Sequence, residues 1–535
     1  METAADLFQR FEQLNAIGAS LSNERNLDRL LENILLAAKA ITHADGGTLY
    51  RMSDDRKWLR FAIVRTDSLG IAYGGTTGQP ISAQFKDLPL YREDGEANNS
   101  LVAAYSAIHD KTVNIADAYT EKGFDFSGTR KFDEVTGYRS KSFLTVPMKN
   151  HENEIIGVLQ LINAVNHEAG IVREFSAADQ QLAESLASQA AVALTNRLLV
   201  SQLEALFESF ISLINLAIDE KSPYTGGHCQ RVPALTMMLA EAAEAVSEGP
   251  LADFAMNDRD RYELKIAALL HDCGKVTTPV HVVDKATKLQ TIFDRIHLID
   301  TRFEVVRRDE ELAMLRAVAD GASRDVAERA WQARTRQIDA DRDFLRHVNV
   351  GSEAMLATDQ ARVREISQRY RWRNPQGDTV DFLSDNEIEN LTIRAGTLTQ
   401  AEREIINYHI VATIKMLESL PWPKHLRHVP EYAGGHHERM DGKGYPKGLK
   451  RDEMSVQARI MGIADIFEAL TARDRPYKPA LKISEALGIM AGFSRNGHVD
   501  PDLFEVFVRQ KVYLRYAQQY LESTQIDTVP GDALP

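Results

Sequence analysis

The chain is organised around residues 436–446, which read His-His-Glu-Arg-Met-Asp-Gly-Lys-Gly-Tyr-Pro. Two adjacent histidines run directly into a glycine-rich turn, so neutral imidazole nitrogens lie beside a backbone that can bend sharply and approach a ligand closely. This combination predicts a metal site beneath a polar opening of the size of a phosphate. Paired histidines also occur as surface or capping residues, so the prediction depends on what the rest of the C-terminal half supplies.

Four further clusters of histidine or aspartate lie at the edges of apolar helical patterns. His271 and Asp272 follow an apolar run, which predicts a buried helix that delivers an imidazole and a carboxylate side by side. A buried, unpaired carboxylate is costly, and a divalent cation would offset that cost. His228, His409 and Asp465 come singly. Taken alone, such a histidine is more often a core or surface residue than a ligand, whereas the aspartate is explained equally well in both ways. Together the clusters match what a closely spaced two-metal site requires.

Length and charge limit the classes of protein to which the chain can belong. At 535 residues it is too long for one hydrophobic core, and a norm of about 150 residues per domain predicts roughly two to four units. Its 44% hydrophobic and 26% charged residues are typical of a soluble globular protein. A net charge of -14 argues against a general nucleic-acid binder, because no basic stripe is present to neutralise phosphates. A small anionic ligand remains compatible, since a metal and a few local cations can hold it.

Cysteine usage and the N-terminal sequence bear on location. The two cysteines, Cys229 and Cys273, are too few for a disulfide framework and fit a reducing cytoplasm. The first residues lack the basic and apolar regions of a signal peptide, and no uninterrupted run of about 18 apolar residues occurs. We therefore expect a cytoplasmic protein that is neither exported nor membrane-spanning.

The N-terminal third changes from helical to strand-like patterns. Apolar spacing predicts two helices within residues 5–42, and short alternating runs predict strands from Gly46 onward. Residues 142–148 and 155–163 predict a hairpin.

The same region carries the residues of a known family. Residues 132–142, together with the Val-Pro strand and the Gly-Val-Leu-Gln-Leu-Ile-Asn strand that follow, resemble a GAF domain, especially those of cyclic-nucleotide phosphodiesterases and cyclases. The resemblance covers about residues 15–195. It implies an α+β domain in which an antiparallel sheet is flanked by helices.

One signature of these GAF domains is altered in this chain. They carry Asn-Lys…Phe-x-x-x-Asp-Glu, whereas this chain has Asn163-Ala164 and then Phe175…Asp179-Gln180, so the lysine and the glutamate are replaced. The resemblance implies a cyclic nucleotide as candidate ligand. The family associates the lysine and the aspartate with cyclic-nucleotide-competent folding, so the loss of the lysine argues against that ligand. Two roles stay open for the domain, a small-molecule sensor and a dimerisation module.

Residues 176–221 predict one long helix. Their apolar positions recur at a period of about 3.5 to 3.6 residues, with no glycine or proline until Pro223. A helix of this length cannot bury its stripe within one domain, so we expect it to pack against its twin in a parallel homodimer and pass the state of the sensor to the C-terminal domain. The alternative is a helix that lies along its own domains.

The clusters of the C-terminal half, in their order, resemble the HD-GYP family of HD-superfamily phosphohydrolases. The match covers about residues 207–520 and includes His-Asp-x-Gly-Lys, His-His-Glu, Gly-Tyr-Pro and the Ala-Asp-x-x-x-Ala-Leu-Thr helix. The usual substrate of that family is the bacterial second messenger cyclic di-GMP. The resemblance therefore implies an all-α phosphodiesterase domain with a dinuclear metal centre.

Carried over position by position, the resemblance assigns roles to individual residues. Two sets of ligands are implied, with Asp272 bridging them: His228, His271, Asp272 and Asp465 for one metal, and His409, His436 and His437 for the other. Asp272 and Lys275 would be catalytic, and the residues that bind substrate would be Lys275, Tyr445, Arg475 and Lys478. The turn Gly444-Tyr445-Pro446 would shape the pocket and could also meet partner domains.

Two departures from the family pattern modify this expectation. Family members with three metals have a glutamate four residues before the first histidine, where this chain has Tyr224, so we expect two metals and cleavage that stops mainly at linear pGpG. The short lid of the family is replaced by an insertion at about residues 290–395. Its charge-rich sequence predicts the solvated face of a helical hairpin, whose base could restrict access to the metals.

The dinuclear centre implies a hydrolytic mechanism. Two cations would lower the pKa of a bridging water so that hydroxide attacks phosphorus in line, while Lys275 helps to neutralise the phosphate. Iron or manganese suits a mixed histidine and carboxylate site. Activity should fall below about pH 6, because all three histidines of the second group must be neutral to bind.

These inferences give one domain plan and three competing functions. The predicted domains are a GAF sensor or dimerisation domain at residues 1–195, a connecting signalling helix at 196–222 and an HD-GYP domain at 223–525. The first hypothesis is a cyclic di-GMP phosphodiesterase regulated by the GAF domain. The others are an HD phosphohydrolase of another nucleotide, such as a hybrid cyclic dinucleotide, and a non-catalytic module that binds cyclic di-GMP and reports it to a partner.

Overall fold

The computed structural model describes residues 4–24, 26–166, 170–221, 227–351, 354–473 and 480–529. The chain divides into two compact units, Met1–Phe207 and Glu208–Pro535, and the division falls inside one long helix. Three residues singled out in the sequence, Tyr224, Arg475 and Lys478, lie outside the described residues.

The first unit is an α+β fold built on an antiparallel sheet, as predicted. Its helices are α1 (Ala4–Asn23), α2 (Leu27–Thr42), α3 (Val102–His109), α4 (Ser127–Thr136) and α5 (Ala177–Lys221). Its strands are β1 (Ala44–Met52), β2 (Trp58–Thr66), β3 (Ile71–Tyr73), β4 (Leu88–Pro89), β5 (Val113–Ile115), β6 (Phe143–Lys149), β7 (Ile155–Asn166) and β8 (Ile171–Arg173). The strand order is β3-β2-β1-β7-β6-β5, with β4 paired to β2 and β8 paired to β7. The two N-terminal helices and the β6–β7 hairpin confirm the sequence-based predictions.

Helix α2 illustrates how local sequence produces this architecture. The Asn26 side chain accepts a hydrogen bond from the Arg29 backbone N–H, which caps the first turn, and His43 ends the helix in the left-handed region at φ 53°. Between these caps Leu31 and Leu35 lie one turn apart and are buried against the sheet. Helices α1, α2 and the first part of α5 cover one face of the sheet, and α3 covers the other.

Helix α5 runs without interruption for 45 residues, as the sequence predicts. Its first turns bury Leu182, Leu186 and Leu194 in the core, and most of the large apolar positions beyond them are exposed. An 18-residue window of α5 has a mean hydropathy of 1.3 and is 11% buried, so by length and composition the helix could cross a membrane. Helices of soluble proteins pass the same test, so this one helix does not by itself establish a membrane span.

The second unit is helical in its described residues apart from one small hairpin. Its helices are α6 (His228–Glu244), α7 (Asp258–Leu270), α8 (Val280–Val283), α9 (Ile296–Ala319), α10 (Arg324–Asn349), α11 (Ala357–Arg369), α12 (Asp385–Leu391), α13 (Gln400–Glu418), α14 (Val429–Gly434), α15 (Val456–Thr471), α16 (Ile483–Arg495), α17 (Pro501–Arg509) and α18 (Val512–Tyr520). The hairpin consists of β9 (Arg371–Arg373) and β10 (Thr379–Asp381). Helix α6 packs against α7 and α15, and α14 contacts α7, α13 and α15.

The insertion has a core of its own, which sequence analysis missed. Helices α9 and α10 pack together and confirm the predicted helical hairpin, and α10 exposes most of its charged residues. Phe303 of α9 forms an aromatic cluster with Tyr370 and Phe382, and the rings of Phe303 and Phe382 lie 4.4 Å apart. Apolar residues of α9 to α12 surround this cluster. The insertion is therefore a packed helical subdomain.

Candidate metal centre

Five helical segments deliver the seven sequence-predicted ligands to one place in the second unit. His271 ends α7 and Asp272 follows it, so the imidazole and the carboxylate leave the helix side by side. The other ligands come from four separate elements: His228 begins α6, His409 lies in α13, His436 and His437 follow α14, and Asp465 lies in the middle of α15. His228, His271, Asp272, His409 and His436 are buried, and His437 and Asp465 are partly buried.

The first group of ligands surrounds the Nε2 atom of His228. That nitrogen lies 3.0 Å from Asp272 Oδ2, 3.3 Å from His271 Nε2 and 3.3 Å from Asp465 Oδ1. His228, His271 and Asp272 each offer one ligand atom, and these atoms all lie within 4.8 Å of one another. The geometry is compatible with a single cation at their centre.

The second group is formed by three imidazoles. The ligand atoms of His409, His436 and His437 lie within 4.8 Å of one another, and His409 Nε2 lies 3.2 Å from His437 Nε2. His409 Nε2 also lies 3.4 Å from Asp272 Oδ1. One carboxylate thus faces both groups, with Oδ2 towards the first and Oδ1 towards the second.

Unpaired polar atoms indicate that the two groups fit cations. Asp272 Oδ1 and His436 Nε2 are buried and have no hydrogen-bond partner among the described residues. Facing imidazole nitrogens, such as those of His409 and His437, can satisfy each other only through a single shared proton. Because buried polar atoms are almost always paired, this convergence of lone pairs is costly in a metal-free protein. A divalent cation in each group would satisfy the nitrogens and the carboxylate oxygens together.

Backbone carbonyl groups orient three of the imidazoles. In each case Nδ1 lies close to the carbonyl oxygen three residues earlier: His271 with Ala268 at 2.8 Å, His409 with Ile406 at 2.5 Å and His436 with Ala433 at 2.6 Å. A proton on Nδ1 completes this hydrogen bond and leaves the Nε2 lone pair free for a metal. The helical turn before each histidine therefore fixes the tautomer.

Glu468 and Arg231 belong to the site, and sequence analysis missed both. Glu468 Oε2 lies 2.5 Å from His228 Nδ1, and Arg231 donates to Glu468 Oε1 from Nε at 2.8 Å. Burial acts to raise the pKa of Glu468, but His228 and Arg231 outweigh it and lower the pKa to about 2. The available signal was spacing, because Glu468 lies three residues after Asp465 on one face of α15.

Gly274 permits the close approach that joins the two groups. A Cβ atom on this glycine would lie 2.0 Å from the His409 carbonyl oxygen and 2.6 Å from the Thr413 backbone nitrogen. Thr413 Oγ1 also accepts a hydrogen bond from the Gly274 N–H at 2.9 Å. The backbone after Asp272 therefore touches α13, which carries His409.

Lys275 lies directly beside the Asp272 carboxylate. Its Nζ is 2.5 Å from Asp272 Oδ2. Burial would raise the pKa of Asp272, but Lys275 and the neighbouring histidines lower it well below its ordinary value. An ammonium group at this position can form an ion pair with an anion that binds beside the two groups of ligands.

The turn that contains Tyr445 is tied back onto the adjacent histidines. The Tyr445 ring stacks on His437 at 4.9 Å, and the buried Glu438 carboxylate accepts hydrogen bonds from the backbone N–H groups of Lys447 and Leu449 at 2.7 and 2.9 Å. A Cβ on Gly444 would lie 2.4 Å from a backbone nitrogen, so only glycine fits there. Tyr445 thus lies against a candidate ligand, whereas Arg475 and Lys478 lie outside the described residues.

The two groups differ in their protonation. Burial alone would lower the pKa of His228, but the carboxylates around it raise the pKa well above its ordinary value. Burial and the neighbouring His271 lower the pKa of His436 to about 4, and burial and His436 lower that of His437 well below its ordinary value. His436 and His437 are therefore held neutral, whereas a cation that binds beside His228 displaces a proton.

Asp179, the aspartate of the altered signature in the first unit, forms ion pairs with two arginines. Asp179, which is buried in the first turn of α5, accepts hydrogen bonds from Arg10 Nη2 and Arg173 Nη1, each at 2.6 Å. Two arginines thus supply positive partners in a chain that has Ala164 at the lysine position. Asn163, in the left-handed region at φ 58°, accepts from the Lys141 N–H at 2.7 Å.

Comparison with known proteins identifies the domains. Residues 26–194 match the family model of the GAF domain, and residues 225–342 and 343–503 match two models of the HD domain.

Three relatives illustrate the similarity of the chain to characterised proteins. A 3′3′-cGAMP-specific phosphodiesterase of Vibrio cholerae is 25% identical over 303 residues, which cover 56% of this chain and 38% of that protein. A second 3′3′-cGAMP-specific phosphodiesterase of that organism is 42% identical over 94 residues, covering 18% and 20% of the two chains. A cyclic di-GMP phosphodiesterase of Pseudomonas aeruginosa is 36% identical over 137 residues, covering 25% and 32%. The aligned regions thus span less than two fifths of each relative, and with the family models they identify the chain as a GAF domain followed by an HD domain.

Proposed function

We propose that this protein is a metal-dependent phosphodiesterase that hydrolyses cyclic di-GMP, mainly to linear pGpG. The observation that carries the proposal is the Asp272 carboxylate, which faces two separate groups of imidazoles with its two oxygens. A carboxylate in this position suits a dinuclear site of the kind that hydrolyses phosphodiesters. Relatives named as cyclic di-GMP and 3′3′-cGAMP phosphodiesterases support the assignment.

The proposed cofactors are two divalent ions, iron or manganese. His228, His271, Asp272 and Asp465 would hold one ion, and Asp272 with His409, His436 and His437 would hold the other. When bound, such a pair supplies Lewis-acid activation of water and neutralises charge on the phosphate. Mixed histidine and carboxylate ligands suit both metals.

The protein contributes position and charge to this chemistry. Asp272 faces both groups, while backbone carbonyl contacts of His271, His409 and His436 keep their Nε2 atoms directed inward. The Lys275 ammonium, beside Asp272, would pair with a phosphate oxygen as negative charge increases in the transition state. Tyr445, stacked on His437, would contact the substrate, and Arg475 and Lys478 would bind its phosphates.

A hybrid cyclic dinucleotide is the second candidate substrate. Two of the relatives are named as 3′3′-cGAMP-specific phosphodiesterases, and that observation favours testing this substrate beside cyclic di-GMP. The third hypothesis, a binding module without turnover, requires no complete set of ligands. All seven candidate ligands come together in the second unit, which favours an enzyme.

Turnover by full-length protein tests these alternatives. Anaerobically prepared protein loaded with Fe(II) or Mn(II) would be incubated with each cyclic dinucleotide, and the products would be separated by chromatography. The control is the double variant His271→Ala, Asp272→Ala, which removes two ligands of the first group. We expect pGpG from the wild-type protein and none from the control. Equal nucleotide binding by both proteins without hydrolysis would contradict the enzyme assignment.

We also propose that the chain forms a parallel homodimer through α5 and the N-terminal domain. Leu203, Leu206, Phe210 and Leu213 recur at spacings of three and four residues and are 65%, 52%, 56% and 59% exposed. Such spacing is that of a coiled-coil seam. Leu206→Glu should give a monomer in sedimentation experiments, and Ser201→Glu, away from the seam, should not. A dimer that survives Leu206→Glu would contradict this interface.

The remaining assignments follow from the domain plan. Residues 1–195 would act as a GAF sensor or dimerisation domain that regulates turnover, 196–222 as connecting helix and 223–525 as the catalytic domain. A cyclic nucleotide at the GAF domain, present at 100 times its Kd, should stabilise that domain by about 2.7 kcal/mol in a thermal shift experiment. Partner domains would meet the Gly444-Tyr445-Pro446 turn. A cytoplasmic location agrees with the two free, buried cysteines.

A further inference from the structure

The His228 ring is not oriented in the same way as the other buried histidine ligands. His271, His409 and His436 each use the carbonyl oxygen three residues earlier, which is a neutral acceptor. His228 is the first residue of α6, so no preceding turn of that helix can supply such a carbonyl. Another group therefore has to fix its ring.

Glu468 supplies the acceptor for this ring. Its Oε2 atom lies 2.5 Å from His228 Nδ1, and the residue is fully buried, at 0% exposure. With a proton on Nδ1 donated to this carboxylate, the neutral ring presents its Nε2 lone pair to Asp272 and Asp465. Three electron-rich groups then converge at the place where a cation would bind.

Arg231 holds the carboxylate in place. Its guanidinium contacts Glu468 Oε1 through Nε at 2.8 Å and Nη2 at 2.7 Å. This paired contact offsets the cost of burying an ionised carboxylate and restricts its rotation. Arg231 lies one turn after His228 in α6, so the chain of contacts returns to the helix from which it started.

We propose that Glu468, held by Arg231, is a positioning residue that controls metal loading of the first group and not of the second. The inference rests on the metal binding in the proposed function, but it does not depend on the substrate. Loss of an outer partner of a ligating histidine typically weakens metal binding by about 10- to 100-fold. The effect should be confined to the first group. His228 is oriented by a side chain from another helix, whereas His271, His409 and His436 are oriented by backbone carbonyl groups.

The test is the metal content and affinity of full-length Glu468→Ala, Glu468→Gln and wild-type protein, titrated with Mn(II). The wild type should bind two ions per chain and give the electron paramagnetic resonance signal of a spin-coupled pair. Glu468→Ala should keep one ion with wild-type affinity, bind the other 10- to 100-fold more weakly and give the signal of isolated Mn(II). Glu468→Gln, which retains an acceptor oxygen, should show a smaller loss.

Glu263→Gln is a matched control. Glu263 is also a buried glutamate that contacts a histidine, since its carboxylate accepts from the His428 backbone N–H at 2.6 Å and lies 3.2 Å from His428 Nδ1. His428 is not a candidate ligand, so this variant should bind two ions like the wild type. A general structural effect of removing a buried carboxylate would instead alter both variants alike.

The possible outcomes separate this inference from the proposed function. Two ions bound with unchanged affinity by Glu468→Ala would overturn the inference, and if that variant does not fold, the same result for Glu468→Gln would do so. A wild-type protein that binds no metal would overturn the proposed function as well. A wild-type protein that binds two ions without hydrolysing cyclic dinucleotides would refute only the function, provided that the Glu468 variants lose one ion.

Discussion

Two buried lysines at the base of the insertion should respond in opposite ways to replacement by methionine. Lys288 is 1% exposed, and in the described residues its Nζ contacts the Leu391 carbonyl oxygen at 3.2 Å and Met355 Sδ at 3.3 Å. Neither partner carries a charge. Burial lowers the pKa of Lys288 from 10.5 to about 8, so the charged form is destabilised in the folded protein.

The size of the effect follows from this shift. A difference of about 2.5 pKa units corresponds to about 3 kcal/mol, which the folded protein loses wherever Lys288 is charged. Because the folded pKa lies below the unfolded pKa, this cost is complete below about pH 8 and disappears as the pH rises to about 10.5. Lys288→Met removes the cost but also a hydrogen bond worth about 1 kcal/mol. The net gain in unfolding free energy at pH 7 should be about 2 kcal/mol.

Lys285 is the matched control, because it is equally buried and lies three residues earlier. Its Nζ contacts Glu402 Oε2 at 2.7 Å, Glu402 Oε1 at 2.9 Å and Asn390 Oδ1 at 2.8 Å. Lys285→Met would leave the Glu402 carboxylate without its cation, at a cost of about 3 kcal/mol. Glu402 also accepts from the Thr399 N–H in the capping box of α13, so the loss should loosen the helix that carries His409.

Urea unfolding at pH 7 and pH 9.5, combined with hydrogen exchange of the insertion, measures both effects. Exchange separates the insertion from the rest of a protein that need not unfold in one step. Lys288→Met should slow exchange in α9 to α12 at pH 7 and lose much of this advantage at pH 9.5. Destabilisation by Lys288→Met at pH 7 equal to that by Lys285→Met would refute the argument from charge burial.

Three further predictions concern the metal centre. Gly274→Ala should abolish metal binding by the second group, because the new methyl group would lie 2.0 Å from a carbonyl oxygen of α13. Gly488→Ala is the control, because a methyl group there meets no atom within 4 Å. Elemental analysis should find two metals in this control. Metal affinity of the first group should rise from pH 6 to pH 8, because a cation there displaces the proton of His228, and competition titrations would measure this rise. Lys221→Met should lower turnover at constant metal content, because its ammonium binds the backbone of the turn that carries Lys275; unchanged kcat would contradict this.

The pH prediction shows what structure adds to a sequence-based argument. The sequence indicates that the three histidines of the second group must be neutral to bind a metal, and it therefore predicts a fall in activity below about pH 6. The pKa of each histidine could not be read from the sequence, because a pKa depends on burial and on neighbouring charges. In the structure His436 is held neutral, whereas carboxylates surround His228. The structure therefore corrects the sequence-based prediction, because His228 of the first group is the histidine whose proton a metal must displace.

The sequence by itself determined the secondary structure and the chemistry available to the site. Apolar periods of 3.6 and 2 residues depend on neighbours along the chain, so α2, the β6–β7 hairpin and the whole of α5 could be predicted. Residue type alone identified imidazoles and carboxylates as candidate ligands. The core of the insertion was not predicted, because the charged face of α10 dominates its local pattern and conceals sparse apolar positions.

Only the tertiary structure decided which groups meet. His228 and Glu468 lie 240 positions apart, and no local pattern pairs them. Gly274 resembles any turn glycine until α13 is seen to touch its backbone. The resemblance implied that Asp272 joins the two groups, but only the structure shows which oxygen faces which group. Local sequence sets the conformation of a segment, but distances between segments are set by how their apolar faces pack, and that packing places the ligands around common centres.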